Sequence, residues 1–197
     1  MDNTPHKVSY CNQLVKLKEI IDTANCRLIS DTPDSFFQEN ANFFTKSFLV
    51  IMCAYLESYL KDALMVIVDE TNNKLATHYI PHNLIKWSFN IDKEFKDNDS
   101  KIEPLKLKIK KKELDDFISG NPFKTKDLFK KFGIVLDNNA NFNNQKEIIN
   151  SIITKRNKVV HHNDEASDIS NKDLKDYIDA ILDYISNIDN LVCSQVN

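Results

Sequence analysis

From about Phe37 or Asn40 to Thr71 the chain reads as one long helix whose centre is apolar nearly all the way round, and no other segment constrains the fold as much. A helix that is greasy on every side cannot lie on a surface, so it must run through a bundle with other helices packed around it. Only two glycines and five prolines occur in 197 residues, well under average usage, which argues for long helices and against a loop-rich or all-β protein. With Gly120 and Gly133 as the whole supply, Gly-rich phosphate loops of the P-loop and dinucleotide type are excluded.

Helical periodicity marks further regions. Val8, Cys11, Leu14, Val15, Ile21 and Leu28 outline a first amphipathic helix, stopped by the turn-prone residues 30–34. Asp127–Phe132 reads as a short helix ended by Gly133, and Asn138–Asn144 as an asparagine-rich loop. A long helix follows from about Asn144 to His162, and after the turn 162–167 a last helix is capped by Asp168 or Ser170. Leu174, Ile178, Ile181, Ile185, Ile188 and Val192 give it a clean apolar stripe. The expected fold is therefore all-α, a bundle of about five helices in one domain over 1–197, with an irregular insertion at about 73–123. Within that insertion the proline after Ile80 can open a short helix, Asp92–Ser100 is a polar linker, and Leu105–Lys110 alternates as a strand does, although Ile102, Leu105 and Ile109 also fit a helix.

Charge is unevenly spread. Lys101–Lys131 holds ten lysines against five acids, whereas Asp164–Asp189 holds eight acids against two lysines. A basic segment can track a nucleic-acid backbone, but a lysine run without interleaved aromatics reads first as a solvated face. Met1–Tyr10 lacks the basic and apolar regions of a signal peptide, and the longest uncharged apolar run, Ser47–Leu56, is ten residues where a span needs roughly 20. A soluble, cytoplasmic protein with no membrane partner is expected. The four cysteines are scattered without paired spacing, and His78 and His82 are separated by Pro81 with no third ligand, so neither a metal nor another cofactor is expected.

The chemistry concentrates in Arg156-Asn157-Lys158-Val159-Val160-His161. Ile149, Ile152, Ile153, Arg156 and Val160 recur at helical spacing, which sets a guanidinium on a core-facing stripe, where it needs an anion or a task. In the long apolar helix Val50, Cys53, Leu60, Leu64 and Val68 surround Glu57 on the wheel, and this carboxylate is the obvious partner for Arg156. Tyr55 and Tyr59 beside it read as core or interface. His161 lies one turn beyond Asn157 on the same side, near the C-terminal end of its helix. An arginine to hold a phosphate and a histidine to move a proton are the minimum for phosphodiester chemistry. Without more, capping by His161 and a structural Arg156–Glu57 pair account for the same residues.

Arg156, Asn157 and His161 together resemble the signature of the HEPN superfamily (higher eukaryotes and prokaryotes nucleotide-binding), an arginine, a polar residue and a histidine four to six positions beyond the arginine; His162 also falls in that window. The segment Phe48–Asp62, with Glu57 embedded in it, is similar to the long apolar helix of that superfamily. The resemblance covers roughly 40–72 and 144–194 and leaves the middle unmatched. It implies a HEPN-like bundle and a metal-independent endoribonuclease that cleaves RNA by attack of the 2′-hydroxyl. Arg156, Asn157 and His161 would be catalytic, Glu57 and His162 supporting, and Lys155 and Lys158 weak RNA contacts. It further implies a homodimer with a composite site, a toxin or phage-defence setting, and an antitoxin or other regulatory partner protein. The alternative is a non-catalytic module of the same fold that binds RNA, a nucleotide or a protein.

Overall fold

The computed structural model describes residues 2–89, 102–162 and 166–196. Among them are seven α-helices: α1 (Pro5–Ile29), α2 (Ser35–Glu39), α3 (Ala41–Leu75), α4 (His82–Ser88), α5 (Pro122–Lys131), α6 (Ala140–His162) and α7 (Asn171–Val196). Two three-residue strands, β1 (Tyr79–Pro81) and β2 (Ile102–Pro104), pair antiparallel across the insertion. The all-α fold class holds, with the expected second helix divided and one further short helix in the insertion.

The long apolar helix is α3, and α1, α6 and α7 all pack against it. Leu49, Met52, Cys53, Leu56, Tyr59, Leu60, Ala63 and Leu64 are completely buried along it. Each such leucine contributes roughly 1.5–3 kcal/mol by leaving water. Its N-terminal boundary falls at Asn40: Ser35–Glu39 forms a separate turn, capped by the Asp34 carboxylate, which accepts from the Phe36 N–H. Phe37 then stacks on Phe44 with ring centroids 4.9 Å apart, which folds the short helix back onto the long one.

Several expected boundaries move. The asparagine-rich stretch is not a loop, because α6 already begins at Ala140. The Asn139 side chain accepts from the Phe142 N–H as a helix cap does, and Phe142 is completely buried, so burial and capping override a loop-like composition. α5 likewise starts at Pro122, earlier than periodicity suggests, with Asn121 capping Phe123 and Lys124. Gly133 ends it at φ 86°, as expected of a left-handed cap. α7 is opened by Ser170, whose hydroxyl accepts from the Asp173 N–H while the Asp173 carboxylate accepts from the Ser170 N–H. Leu105–Lys110 carries no regular secondary structure: it follows the paired strand and does not itself join a ladder. The polar stretch Asp92–Ser100 and part of the 162–167 turn lie outside the described residues.

The insertion is anchored to the bundle by a 3-10 turn, Lys111–Leu114, that rests on α3. Leu114 and Ile118 are buried there, and the Lys111 ammonium meets Asp62 at 2.5 Å. Most of the lysines in this basic segment face solvent, and Lys126 pairs with Asp137 at 3.1 Å, which is the solvated arrangement. All four cysteines are free, with Cys53 and Cys193 buried and Cys26 exposed. No helix among the described residues is long and apolar enough to cross a membrane.

Candidate active site

α6 presents three successive environments at its C-terminal end. Ile149, Ile152 and Ile153 are buried in the core. Arg156 follows at their edge with its side chain 17% exposed. The stripe then continues through Val159, which packs on the core, and not through Val160, which is 49% exposed. The expected use of Val160 as a core position is therefore corrected: beyond Arg156 the buried face advances by three residues, not four. Either step is compatible with a helix of about 3.6 residues per turn, so periodicity alone does not choose between them.

The arginine and Glu57 meet. Arg156 donates through Nη2 to Glu57 Oε2 at 3.0 Å, and through Nη1 to the side-chain oxygen of Asn157 at 3.0 Å. A guanidinium offers a planar fork of donors, and here two of them are directed, one towards α3 and one along α6. Cys53, one turn before Glu57, lies in the same electrostatic environment. Burial pushes its thiol up to about 12, partly opposed by the nearby Arg156 charge. The pair is a partly buried ion pair, not an isolated charge, which answers the desolvation cost that the sequence raised.

Two residues of this cluster were not singled out by sequence reasoning. Lys61 donates to the other oxygen of Glu57, Oε1, at 3.1 Å, and to Asp115 at 2.7 Å. Burial alone lowers the ammonium, but the hydrogen bonds to Asp115 and Glu57 outweigh it and leave the pKa of Lys61 raised. Its hydrogen bond in turn lowers the Asp115 carboxyl. Lys61 stands four residues after Glu57, a spacing that brings side chains together on a helix, so that half of the arrangement had a signal. Asp115 comes from the insertion and had none.

His161 is exposed on α6. It shares a face with Asn157, since four residues turn the helix by about 400°. Asn157 accepts from Arg156 and stands one helical turn before His161. Lys155 is held by Asp168, whose hydrogen bond raises the pKa of the ammonium, and Lys158 is exposed. Both line a pocket of about 290 Å³ with Val159 and residues 166–169, beside the motif. The side chain of His162 lies outside the described residues. Tyr59 is fully buried and donates to Asp189 at 3.0 Å, a core role. Among the described residues no group of three or more His, Cys, Asp or Glu side chains could hold a metal ion.

Comparison with known proteins gives one family. The model described as RiboL-PSP-HEPN matches residues 10–194, which includes the middle of the chain that the motif-based resemblance left out. No curated protein and no solved structure matches.

Proposed function

The chain belongs to the RiboL-PSP-HEPN family, and from that premise we propose that it is a metal-independent endoribonuclease served by Arg156, Asn157 and His161. The observation that carries this reading is the continuous polar edge on α6: a guanidinium bonded to Asn157, with an exposed histidine one turn further on the face of that asparagine. In the reaction the 2′-oxygen of the substrate bonds to phosphorus and the bond from phosphorus to the 5′-oxygen breaks, leaving a 2′,3′-cyclic phosphate and a 5′-hydroxyl. His161 takes the 2′-hydroxyl proton or returns one to the leaving oxygen, and Arg156 stabilises the charge that grows on the phosphate oxygens. Asn157 orients the guanidinium and Glu57 positions it. Lys155 and Lys158 are candidate RNA contacts beside this edge, and His162 is a candidate supporting residue by its place in the motif. We place the enzyme in a homodimer whose two motifs share one cleft, and in a toxin or phage-defence role restrained by a partner protein.

The test is incubation of the purified protein with end-labelled RNA in EDTA, beside His161→Ala, with product ends analysed. Cleavage to cyclic phosphate ends, reduced about 10²–10⁴-fold in the folded variant, is the expected result. RNA binding that survives without cleavage in both proteins would overturn it in favour of a binding module of the same fold.

A further inference from the structure

Glu57 is shared between two cations, and the sharing has a consequence for the arginine. A carboxylate facing a single guanidinium can engage it through both oxygens in a fork-to-fork pair, which uses two donors and leaves the two charges largely cancelled. Here Lys61 occupies Oε1, so Arg156 makes one bond, to Oε2, and its other terminal nitrogen turns to Asn157. The inner trio of Lys61, Glu57 and Arg156 carries two positive charges and one negative. Without the lysine it would carry none in net.

The position of Lys61 is set from outside the bundle helices. Its ammonium also binds Asp115, just after the 3-10 turn Lys111–Leu114, and that turn is fixed to α3 by the buried Leu114 and by the Lys111–Asp62 pair. Lys61 is 13% exposed at its side chain, Asp115 53%. An exposed carboxylate therefore draws a sheltered ammonium partly away from Glu57 without reaching the arginine.

We propose that Lys61 and Asp115 are positioning residues for the motif, with Lys61 holding half of Glu57 so that the positive charge of Arg156 is left partly uncancelled for a phosphate, and Asp115 of the insertion fixing where Lys61 stands. The proposal rests on reading the motif as a phosphate-handling site. Lys61→Met hands both oxygens of Glu57 to Arg156 and weakens the site for anions. Lys61→Arg restores a cation on Oε1. Asp115→Asn frees Lys61 to lean wholly on Glu57, which loosens the arginine without removing positive charge.

The experiment has two arms on the same four proteins, each checked for its melting temperature. In the first, inorganic phosphate is titrated while the Arg156 side-chain N–H resonances are followed by NMR. The expected result is saturable binding by the wild type, roughly tenfold weaker in Lys61→Met, restored in Lys61→Arg and changed less in Asp115→Asn. In the second, kcat and KM for RNA cleavage in EDTA are compared, with the loss in Lys61→Met again rescued by Lys61→Arg. If the wild type binds phosphate but does not cut RNA, the ribonuclease reading fails while the first arm still decides the positioning role. Unchanged phosphate affinity in a folded Lys61→Met protein, no phosphate response at Arg156 in the wild type, or equal loss in the Met and Arg variants with a matching fall in melting temperature would overturn the proposal.

Discussion

Cys53 shows how much of the site is decided by a single buried side chain. It is completely buried on α3 and faces the Arg156 charge, yet burial wins and its thiol is pushed up to about 12. A thiol is reactive as its thiolate, so Cys53 is expected to resist iodoacetamide at pH 8.5 in the native protein while the exposed Cys26 labels quickly; mass spectrometry of the labelled chain reads both. The sign of the linked stability follows from the same shift. The folded protein keeps the proton where the unfolded chain releases it near the ordinary thiol value of 9.0, so this contribution is fully present below pH 9 and is lost as the pH rises towards 12. Between those limits the unfolding free energy of the wild type should fall more steeply than that of Cys53→Ala, by about 1.4 kcal/mol per pH unit. A common slope in urea titrations of the two proteins would mean that Cys53 ionises freely in the fold. At this scale the sequence was informative about Glu57 and Arg156, because two helical wheels each set a charge on an apolar stripe and opposite charges in a core seek one another. It was silent on Asp115, which reaches Lys61 through tertiary structure in a segment without periodicity.

At the level of elements, α6 has to present Arg156 at the margin of the core, and its packing against the insertion helps to fix it there. Gly120 sits at φ 71°, and a Cβ on it would lie 2.8 Å from Cδ1 of Ile153, three residues before the arginine. Ile153 is buried and has little room to give. Gly120→Ala is therefore expected to destabilise the protein by about 1–3 kcal/mol, from left-handed backbone strain together with overpacking. A shift of the α6 amide resonances around residues 153–157 should accompany the loss, whereas an unchanged urea midpoint would show that the turn relaxes without touching α6. The long helices were readable because burial imposes a 3.6-residue period over many turns. The start of α6 was not. Asparagine-rich composition signals a loop, and only the cap at Asn139 and the pocket that takes Phe142 convert that stretch into helix. The short β1–β2 pair was equally invisible, since three residues each are too few to show alternation and their register comes from a partner far along the chain.

Taken as a whole, the bundle joins its first helix to its last around a buried carboxylate. Asp189 on α7 is completely buried and accepts from the Thr4 N–H at 3.0 Å, the Thr4 hydroxyl at 2.5 Å and the Tyr59 hydroxyl at 3.0 Å, so one side chain ties α1, α3 and α7 together. Thr4 is equally buried, and its hydroxyl also caps α1 by accepting from the Lys7 N–H. Hydrogen bonds to a charged group contribute roughly 1.5–3 kcal/mol each, and a buried acceptor that loses one bears the cost of desolvation unrepaid. Thr4→Val, close in volume, keeps the backbone bond but removes both the hydroxyl donor and the cap, so a loss of about 2–4 kcal/mol is expected in urea unfolding. Thr4→Ser, which retains the hydroxyl, should recover most of it. The effect should also travel. α7 packs on α3 and α6 as well as α1, so hydrogen exchange in Thr4→Val is expected to quicken in α1 and α7 together and to reach α6, the helix that carries Arg156 and His161. Fraying confined to the first turn of α1, with α7 protection unchanged, would show that Asp189 is satisfied without Thr4 and that the two ends of the fold are held independently.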